Sequence, residues 1–335
     1  MSIGDEAKVG LQSYVALGKE STFGTYASAT SAIEAISCSF RTDISSVKLD
    51  TFGPNRGFMK RVQTDKVVGG TLEKYAHANE DVLLWAVALG GSFTFTSVTS
   101  AGLFSLTAGN FDTAPASLSF NVRKGDTHTW RYSGGRINNL TVAATVGEPV
   151  RLTAEFMFKD STQQSDNIAS SLSISSAAPF IYTDGVFRYA NTEANAATTT
   201  SEERIQSFEL SINNNLEAGR ELGSDVLRVL PAKRREISFT ITQRFDTTTS
   251  YTRFIQATQG AVELKFTGDA ITAEHNYEMT IRLPKVFLNS PDPELGGANE
   301  LLSSQITYDV LVDSVSTTTG RDIGVTIRNA YTATL

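Results

Sequence analysis

The chain contains few of the residues on which disulfide scaffolds, metal sites and most enzyme sites depend. Its 335 residues include one cysteine and three histidines. The single cysteine, Cys38, excludes an intramolecular disulfide, and we expect it to be a buried thiol that serves as a small hydrophobic residue. No second histidine or cysteine lies two to four residues from any histidine, so the sequence predicts no zinc site.

Motifs for common catalytic chemistries are also missing. The sequence has no Gly-x-Ser-x-Gly elbow and no glycine-rich phosphate loop of the Walker or Rossmann kind. We therefore expect no catalytic residues, no enzyme activity and no cofactor. An acidic, turn-rich loop at residues 291–300, with Asp292, Glu294 and Glu300, is best interpreted as solvated, but the sequence leaves open a loosely bound cation or a sugar there.

Charge and hydropathy exclude further classes of function. The net charge is -7 and the pI is about 5.2, which disfavours a general attraction to nucleic-acid phosphates or to anionic membranes. The longest apolar stretch, Val82 to Leu89, is too short to span a bilayer, so we expect no membrane insertion. The first residues lack the apolar core of a secretory signal, and we expect synthesis and folding in the cytoplasm.

The sequence is rich in serine, threonine and alternating apolar residues, which suits strands with one wetted face and predicts a mainly β protein. The predicted strands include Ile33–Phe40, Phe93–Val98, Thr127–Tyr132, Ile137–Val146 and Val262–Phe266. The polar segment 160–166 is predicted to be a linker, because nothing in it favours burial.

One short pattern occurs twice, and the second copy lies 169 positions after the first, as from Val82 to Tyr251. Each copy has apolar residues at i, i+3, i+4 and i+7, which predicts an α-helix with one buried face, followed by glycine and an alternating strand. The residues assigned to the two core helices are Trp85, Leu89, Phe254 and Ile255. The offset indicates a tandem duplication, with domains at residues 1–170 and 171–335.

A long loop precedes the strand before each helix: residues 41–65, called the first arm, and residues 213–233, called the second arm. Loops of this length are usually functional. We interpret both as projecting assembly arms, because their apolar residues have no obvious place in their own domain, although arms that fold back stay an alternative. The residues suspected of assembly contacts are Asp50, Phe52, Arg56, Phe58, Lys60, Val226, Leu227 and Leu230.

The basic run Lys233-Arg234-Arg235 is the densest cluster of positive charge in the chain. It lies at the entry to a strand and next to Glu236. We expect it to pair with acidic groups of a neighbouring subunit or to stay solvated rather than to contact DNA.

Several segments together resemble the tail tube proteins (major tail proteins) of long-tailed bacteriophages. Each segment alone has a sequence that is common among β-strands, but the order and spacing of the segments are specific. The resemblance covers nearly the whole chain. The segments are Val15–Thr25, Gly135–Val142, Gly147–Thr153, Ile205–Asn214, the helix that ends before Gly260, Ile281–Val286 and Ile327–Asn329.

The resemblance implies two tandem tail-tube-type β-sandwich domains, each with one flanking α-helix and a long projecting loop or hairpin. It further implies a homotrimeric, pseudo-hexameric ring that stacks into the tube of a virion tail and serves genome ejection. The implied partners are other copies of the chain, a tape-measure protein, a tail terminator, baseplate proteins and double-stranded DNA in transit. The family has no catalytic residues to transfer, and Val226–Leu230 departs from the glycine-rich character of the first arm.

Two alternatives stay open from the sequence. One is another structural protein of the virion, such as a capsid decoration or baseplate component. The other is a carbohydrate-binding tail or surface protein, which exposed aromatic residues beside paired carboxylates would favour. The chain has only two tryptophans, and Trp85 is assigned to a buried helix face.

Overall fold

The structure is a computed structural model. It describes residues 13–29, 31–51, 57–58, 60–90, 93–98, 101–107, 116–125, 128–172, 174–175, 177–199, 203–245, 248–289, 302–313 and 320–332. Residues 1–170 are called the first half and residues 171–335 the second half. Strands dominate both halves, which confirms the prediction of a mainly β protein.

The first half contains one α-helix, α1 (Val82–Leu89), among its described residues. It ends as predicted at Gly90, whose left-handed φ of 63° lets its N–H bond to Ala86 O. The strands of this half are β1 (Tyr14–Lys19), β2 (Ser31–Ile33), β3 (Ala35–Cys38), β4 (Arg41–Leu49), β5 (Lys60–Tyr75), β6 (Phe93–Val98), β7 (Ala101–Thr107), β8 (Leu118–Lys124), β9 (His128–Thr145), β10 (Arg151–Phe158) and β11 (Asp160–Gln164).

The second half contains two α-helices within its described residues, one more than the sequence predicted. They are α2 (Glu193–Thr198), which begins at the N-cap Thr192, and α3 (Thr249–Ile255). The strands are β12 (Gly185–Ala190), β13 (Ile205–Asn213), β14 (Glu236–Arg244), β15 (Gly260–Ala270), β16 (Asn276–Asn289), β17 (Ser303–Val310) and β18 (Gly324–Asn329).

The two halves pair their strands in the same order, and every pairing is antiparallel. In the first half the order is β1–β8–β9–β10–β5–β4. In the second half it is β12–β15–β16–β17–β14–β13. Each half therefore places its helix directly after the equivalent strand, β5 or β14.

The strand after each helix is where the predicted correspondence is wrong. The sequence aligned Phe93 with Val262, but β6 pairs with β7 in a hairpin, whereas β15 takes the place of β8. Strand β7 also pairs with β18 of the second half. The literal 169-residue match fails here because alternating strands look alike, and only pairing partners distinguish them.

The halves are joined by a pairing between β9 and β13, with Asn139 opposite Asn213. This creates one long sheet in the order β4–β5–β10–β9–β13–β14–β17–β16. We call it the long sheet. It crosses both halves, and each half supplies four of its strands.

Aromatic side chains fill the core between the long sheet and the outer strands. In the first half Phe40 lies 4.8 Å from Phe158 and 5.1 Å from Phe120, measured between ring centroids. In the second half Phe239 lies 5.6 Å from Tyr308. All five side chains are buried, and the aromatic groups of both halves belong to one hydrophobic core.

Three further details correct the predicted elements. The two strands predicted at 127–146 form one strand, β9, which changes its partners from β8 and β11 to β10 and β13 along its length. The predicted strand Ile33–Phe40 is divided between β2 and β3. The predicted linker contains β11, because a polar edge strand needs only backbone hydrogen bonds to join a sheet.

Candidate assembly surfaces

The first arm is a β-hairpin built from β4 and the beginning of β5, rather than a loop. Its strands pair from Arg41 opposite Gly69 to Leu49 opposite Lys60. Asp50, Phe58 and Lys60 are exposed, whereas Phe52 and Arg56 lie outside the described residues. The hairpin also exposes several apolar side chains, namely Ile44, Val47, Val62 and Val67. It therefore carries apolar surface that its own half does not cover.

The second arm leaves its own half and packs against the first half of the same chain, so it needs no neighbouring subunit to cover its leucines. Leu227 and Leu230 are buried and Val226 is half-buried. Leu230 O accepts a hydrogen bond from Arg136 of the first half. Arg220 forms an ion pair with Asp65 and donates to Lys66 O at 3.0 Å. Leu227 and Leu230, which distinguish this arm from the first arm in the sequence, are the side chains that it buries.

The basic run at the end of the second arm forms ion pairs with acidic residues of the same chain and not with a neighbouring subunit. Arg235 makes two bonds of 3.0 Å to the carboxylate of Asp322, and Lys233 lies 2.7 Å from Glu217. Arg235 also donates to Leu89 O at 2.9 Å. This part of the expectation is therefore wrong, because the acidic partners are in the same chain.

The two helices differ in burial, although their sequence patterns match. Trp85 and Leu89 are buried in the core, as predicted. Phe254 is only half-buried, and Ile255 is 63% exposed. The assignment of Ile255 to a buried helix face is therefore wrong for the single chain. Helix α3 also ends at Ile255, five residues before Gly260.

The long sheet ends in two strands with open edges. Among the described residues, β4 has no strand partner on the side away from β5. Strand β16 pairs with β15 only as far as Val286, so its described residues 287–289 have a strand partner on one side alone, which is β17. Open edges of this kind are templates for pairing with another chain.

One face of the long sheet is polar across β10, β9, β13, β14 and β17. The sheet registers align its residues in rows across the strands. One row contains Glu155, Asn139, Asn213 and Glu236, and another contains Thr153, Thr141, Ser211, Ser238 and Asp309. The opposite face buries leucine, valine and aromatic side chains. The alternating serines and threonines of the sequence were the signal for this face, but its continuity depends on the β9–β13 pairing.

Sites for other chemistries are not found in the described part of the chain. It contains no cluster of three or more metal-ligating side chains. No helix in it is long and apolar enough to cross a membrane. The acidic loop 291–300, with Asp292, Glu294 and Glu300, lies outside the described residues, so the expectation of a solvated loop stays untested.

A mainly β chain with a continuous polar sheet face, two open sheet edges and an exposed apolar hairpin has the features of a structural subunit that assembles with others. The chain belongs to the phage tail tube protein family, whose model matches residues 10–310. It is therefore a structural subunit of a phage tail tube, a component of the virion tail that assembles with itself into a stacked tube.

Other comparisons add little to the family match. No curated protein matches the chain. One solved structure that matches is described as the crystal structure of Hcp protein, at 10% identity and a TM-score of 0.26. The alignment covers 37% of this chain and 86% of that one.

Proposed function

We propose that the chain is a tandem duplication and that three copies close into a pseudo-hexameric ring, with domains at residues 1–170 and 171–335. The common pairing order of the two halves supports the duplication. The β9–β13 pairing, which joins the halves, would then be the internal equivalent of the contact between neighbouring copies. In a closed ring the open edge of β16 pairs with the open edge of β4 in the next copy.

The sheet registers give the residues that would meet at this contact. Leu72 of β5 and Ile241 of β14 are 169 positions apart, the offset of the helix pattern. Cys38 lies opposite Leu72, and Phe208 lies opposite Ile241. Asp43 lies five residues after Cys38, and Asn213 lies five residues after Phe208. Asp43 is therefore the counterpart of Asn213.

The partner of Asp43 follows from the neighbouring strands. Leu72 pairs with Ala154, and Ile241 pairs with Ile306. The next residues along these strands, Glu155 and Thr307, pair with Asn139 and Asn289. Asn289 is thus the counterpart of Asn139. Because Asn139 lies opposite Asn213 within the chain, Asn289 should lie opposite Asp43 of the next copy.

Cysteine cross-linking tests this ring directly. Residues directly opposite in an antiparallel pair have Cα atoms about 4.5 to 5.5 Å apart, within disulfide range. In a Cys38→Ser background, Asp43→Cys with Asn289→Cys should give covalent dimers and trimers in oxidised tubes, with no larger product because the ring closes. The matched control, Asn139→Cys with Asn213→Cys, should cross-link within one chain. Assembled tubes with no bond between chains, or a ladder that continues to hexamers, would contradict the trimeric ring.

The polar face of the long sheet is the surface that we assign to the channel, through which double-stranded DNA passes during genome ejection. Its hydroxyl and amide groups suit a wetted wall, and carboxylates such as Glu155, Glu209 and Glu236 disfavour tight binding of phosphates. Contact with DNA would then be transient and independent of base sequence.

The remaining partners belong to the same proposal. A tail tube of this kind is expected to be built around a tape-measure protein and to end at a tail terminator and a baseplate. We further propose that the subunits are made and assembled in the host cytoplasm and have no catalytic role. Co-purification of the chain with tape-measure protein from incomplete tails would test the first of these partners.

A further inference from the structure

The exposed face of α3 is one departure from equivalence between the two halves. Tyr251 and Ile255 are exposed on it, and Phe254 beside them is half-buried. The corresponding helix, α1, has seven of its eight residues buried. Strand β7 packs against α1 together with β9, whereas β16 is the strand that packs against α3 among the described residues. The second arm and the residue that follows it also contact the end of α1.

The second arm covers the end of α1 across the boundary between the halves. The last carbonyl groups of a helix have no partner within the helix. Asn214 donates from its side chain to Ala88 O at 2.8 Å, and Arg235 donates to Leu89 O at 2.9 Å. Asn214 lies at the beginning of the second arm, and Arg235 lies two residues after its end. The arm leaves β13 where β13 stops pairing with β9. Helix α1 is thus capped by a segment of the other half.

The first arm is the counterpart of the second arm, since each lies between the start of the edge pairing of its half and the strand that precedes the helix. The bases of the two arms are also built alike. Lys66 forms an ion pair with Asp160 at the start of β11, and Arg235 forms one with Asp322 just before β18. Lys66 and Arg235 are 169 positions apart. The first arm, however, has no α3 of its own chain to cover, and it exposes Ile44, Val47, Phe58 and Val62.

We infer that the exposed face of α3, formed by Tyr251, Phe254 and Ile255, is the docking surface for the first arm of a second copy of this chain. This inference rests on the proposed ring. When β4 pairs with β16 of the neighbouring copy, the first arm leaves that pairing toward the neighbour's α3, as the second arm leaves β13 toward α1. The contact joins two apolar surfaces that single chains leave in water.

Photo-cross-linking of full-length protein in assembled tubes tests the inference. A benzoylphenylalanine at position 255 should form bonds between chains, and mass spectrometry should locate them in β4 or β5 of the first arm. The same probe at Ile174 is the matched control, because Ile174 is also an isoleucine and is 64% exposed, against 63% for Ile255. It should give no product with the first arm. Tubes in which the probe at 255 never reaches the first arm would overturn the inference.

A charge substitution supplies a second measurement. Ile255→Glu should leave the melting temperature of the dilute chain unchanged, because the side chain is exposed there. It should raise the protein concentration needed for assembly by about tenfold, since a charge would enter an apolar contact. Unchanged assembly would contradict the docking surface. If the Asp43–Asn289 disulfide still forms in that case, the trimeric ring is supported and only the docking surface is wrong. Failure of that disulfide in tubes would instead count against the ring.

Discussion

Lys74 Nζ lies 2.6 Å from Asp81 Oδ1, and both side chains are almost completely buried beneath the long sheet. The same ammonium group donates to Glu80 Oε2 at 2.6 Å, and Asp81 Oδ2 accepts from His77 N at 2.8 Å. Burial alone lowers the pKa of Lys74, but the carboxylates of Asp81 and Glu80 outweigh it and hold the pKa above its usual value. The cluster fixes the turn between β5 and α1, from which the orientation of the helix follows.

Removing the ammonium group should be costly. Lys74→Met leaves two buried carboxylates without their cation, and we expect a loss of about 3 to 5 kcal/mol in the free energy of unfolding. Urea denaturation of the chain below its assembly concentration measures this. Lys233→Met is the control, since its ion pair with Glu217 is exposed and should contribute less than about 1 kcal/mol. Equal stability of the two variants would show that the buried cluster is not structural.

Truncation of the two helix aromatics should give unequal effects. Trp85 is fully buried, so Trp85→Ala should cost about 3 to 5 kcal/mol. Phe254 is half-buried in the single chain, so Phe254→Ala should cost clearly less in dilute protein. Thermal melting of both variants makes the comparison, and equal losses would mean that α3 is as buried as α1.

Arg235 should be important for the contact between the halves. Arg235→Ala removes a bidentate ion pair with Asp322 and leaves Leu89 O without its donor. Hydrogen bonds to charged groups contribute about 1.5 to 3 kcal/mol each, and we expect a loss in that range or above by chemical denaturation. Arg235→Lys keeps the charge but not the planar fork, so it should restore only part of the loss. Full restoration would mean that charge alone matters there.

Buried tyrosines should make the chain sensitive to alkali. Burial raises the pKa of Tyr132, Tyr189 and Tyr308 above the usual value of 10.0. The folded chain then holds protons that the unfolded chain releases, so this contribution to stability is complete below about pH 10 and falls as the pH rises further. Ultraviolet absorbance of tyrosinate should show these residues ionising only as the protein unfolds. Complete ionisation in folded protein would contradict their burial.

Local patterns in the sequence were sufficient for several elements. The apolar run Val82–Leu89 followed by glycine specified α1 and its left-handed end, because both depend on neighbouring residues. Alternation specified the strands and hence the mainly β fold. The family could also be recognised from the sequence, because its motifs are strand segments that follow one another in a fixed order.

Contacts between distant residues decided the rest. Phe93 and Val262 have the same local pattern, but β6 joins a hairpin that reaches β18 whereas β15 replaces β8. Strand partners are chosen by register and burial across the whole chain, which periodicity does not encode.

The sequence by itself determined a β-rich chain and the places of α1 and α3, but not that of α2. Only the tertiary structure decided that Leu230 is buried while Ile255 is exposed. The sequence assigned Leu230 to a projecting arm and Ile255 to a buried helix face, the reverse of what is found. A side chain becomes buried only when another part of the chain covers it. The second arm packs against α1 within the same chain, whereas no equivalent arm packs against α3 among the described residues.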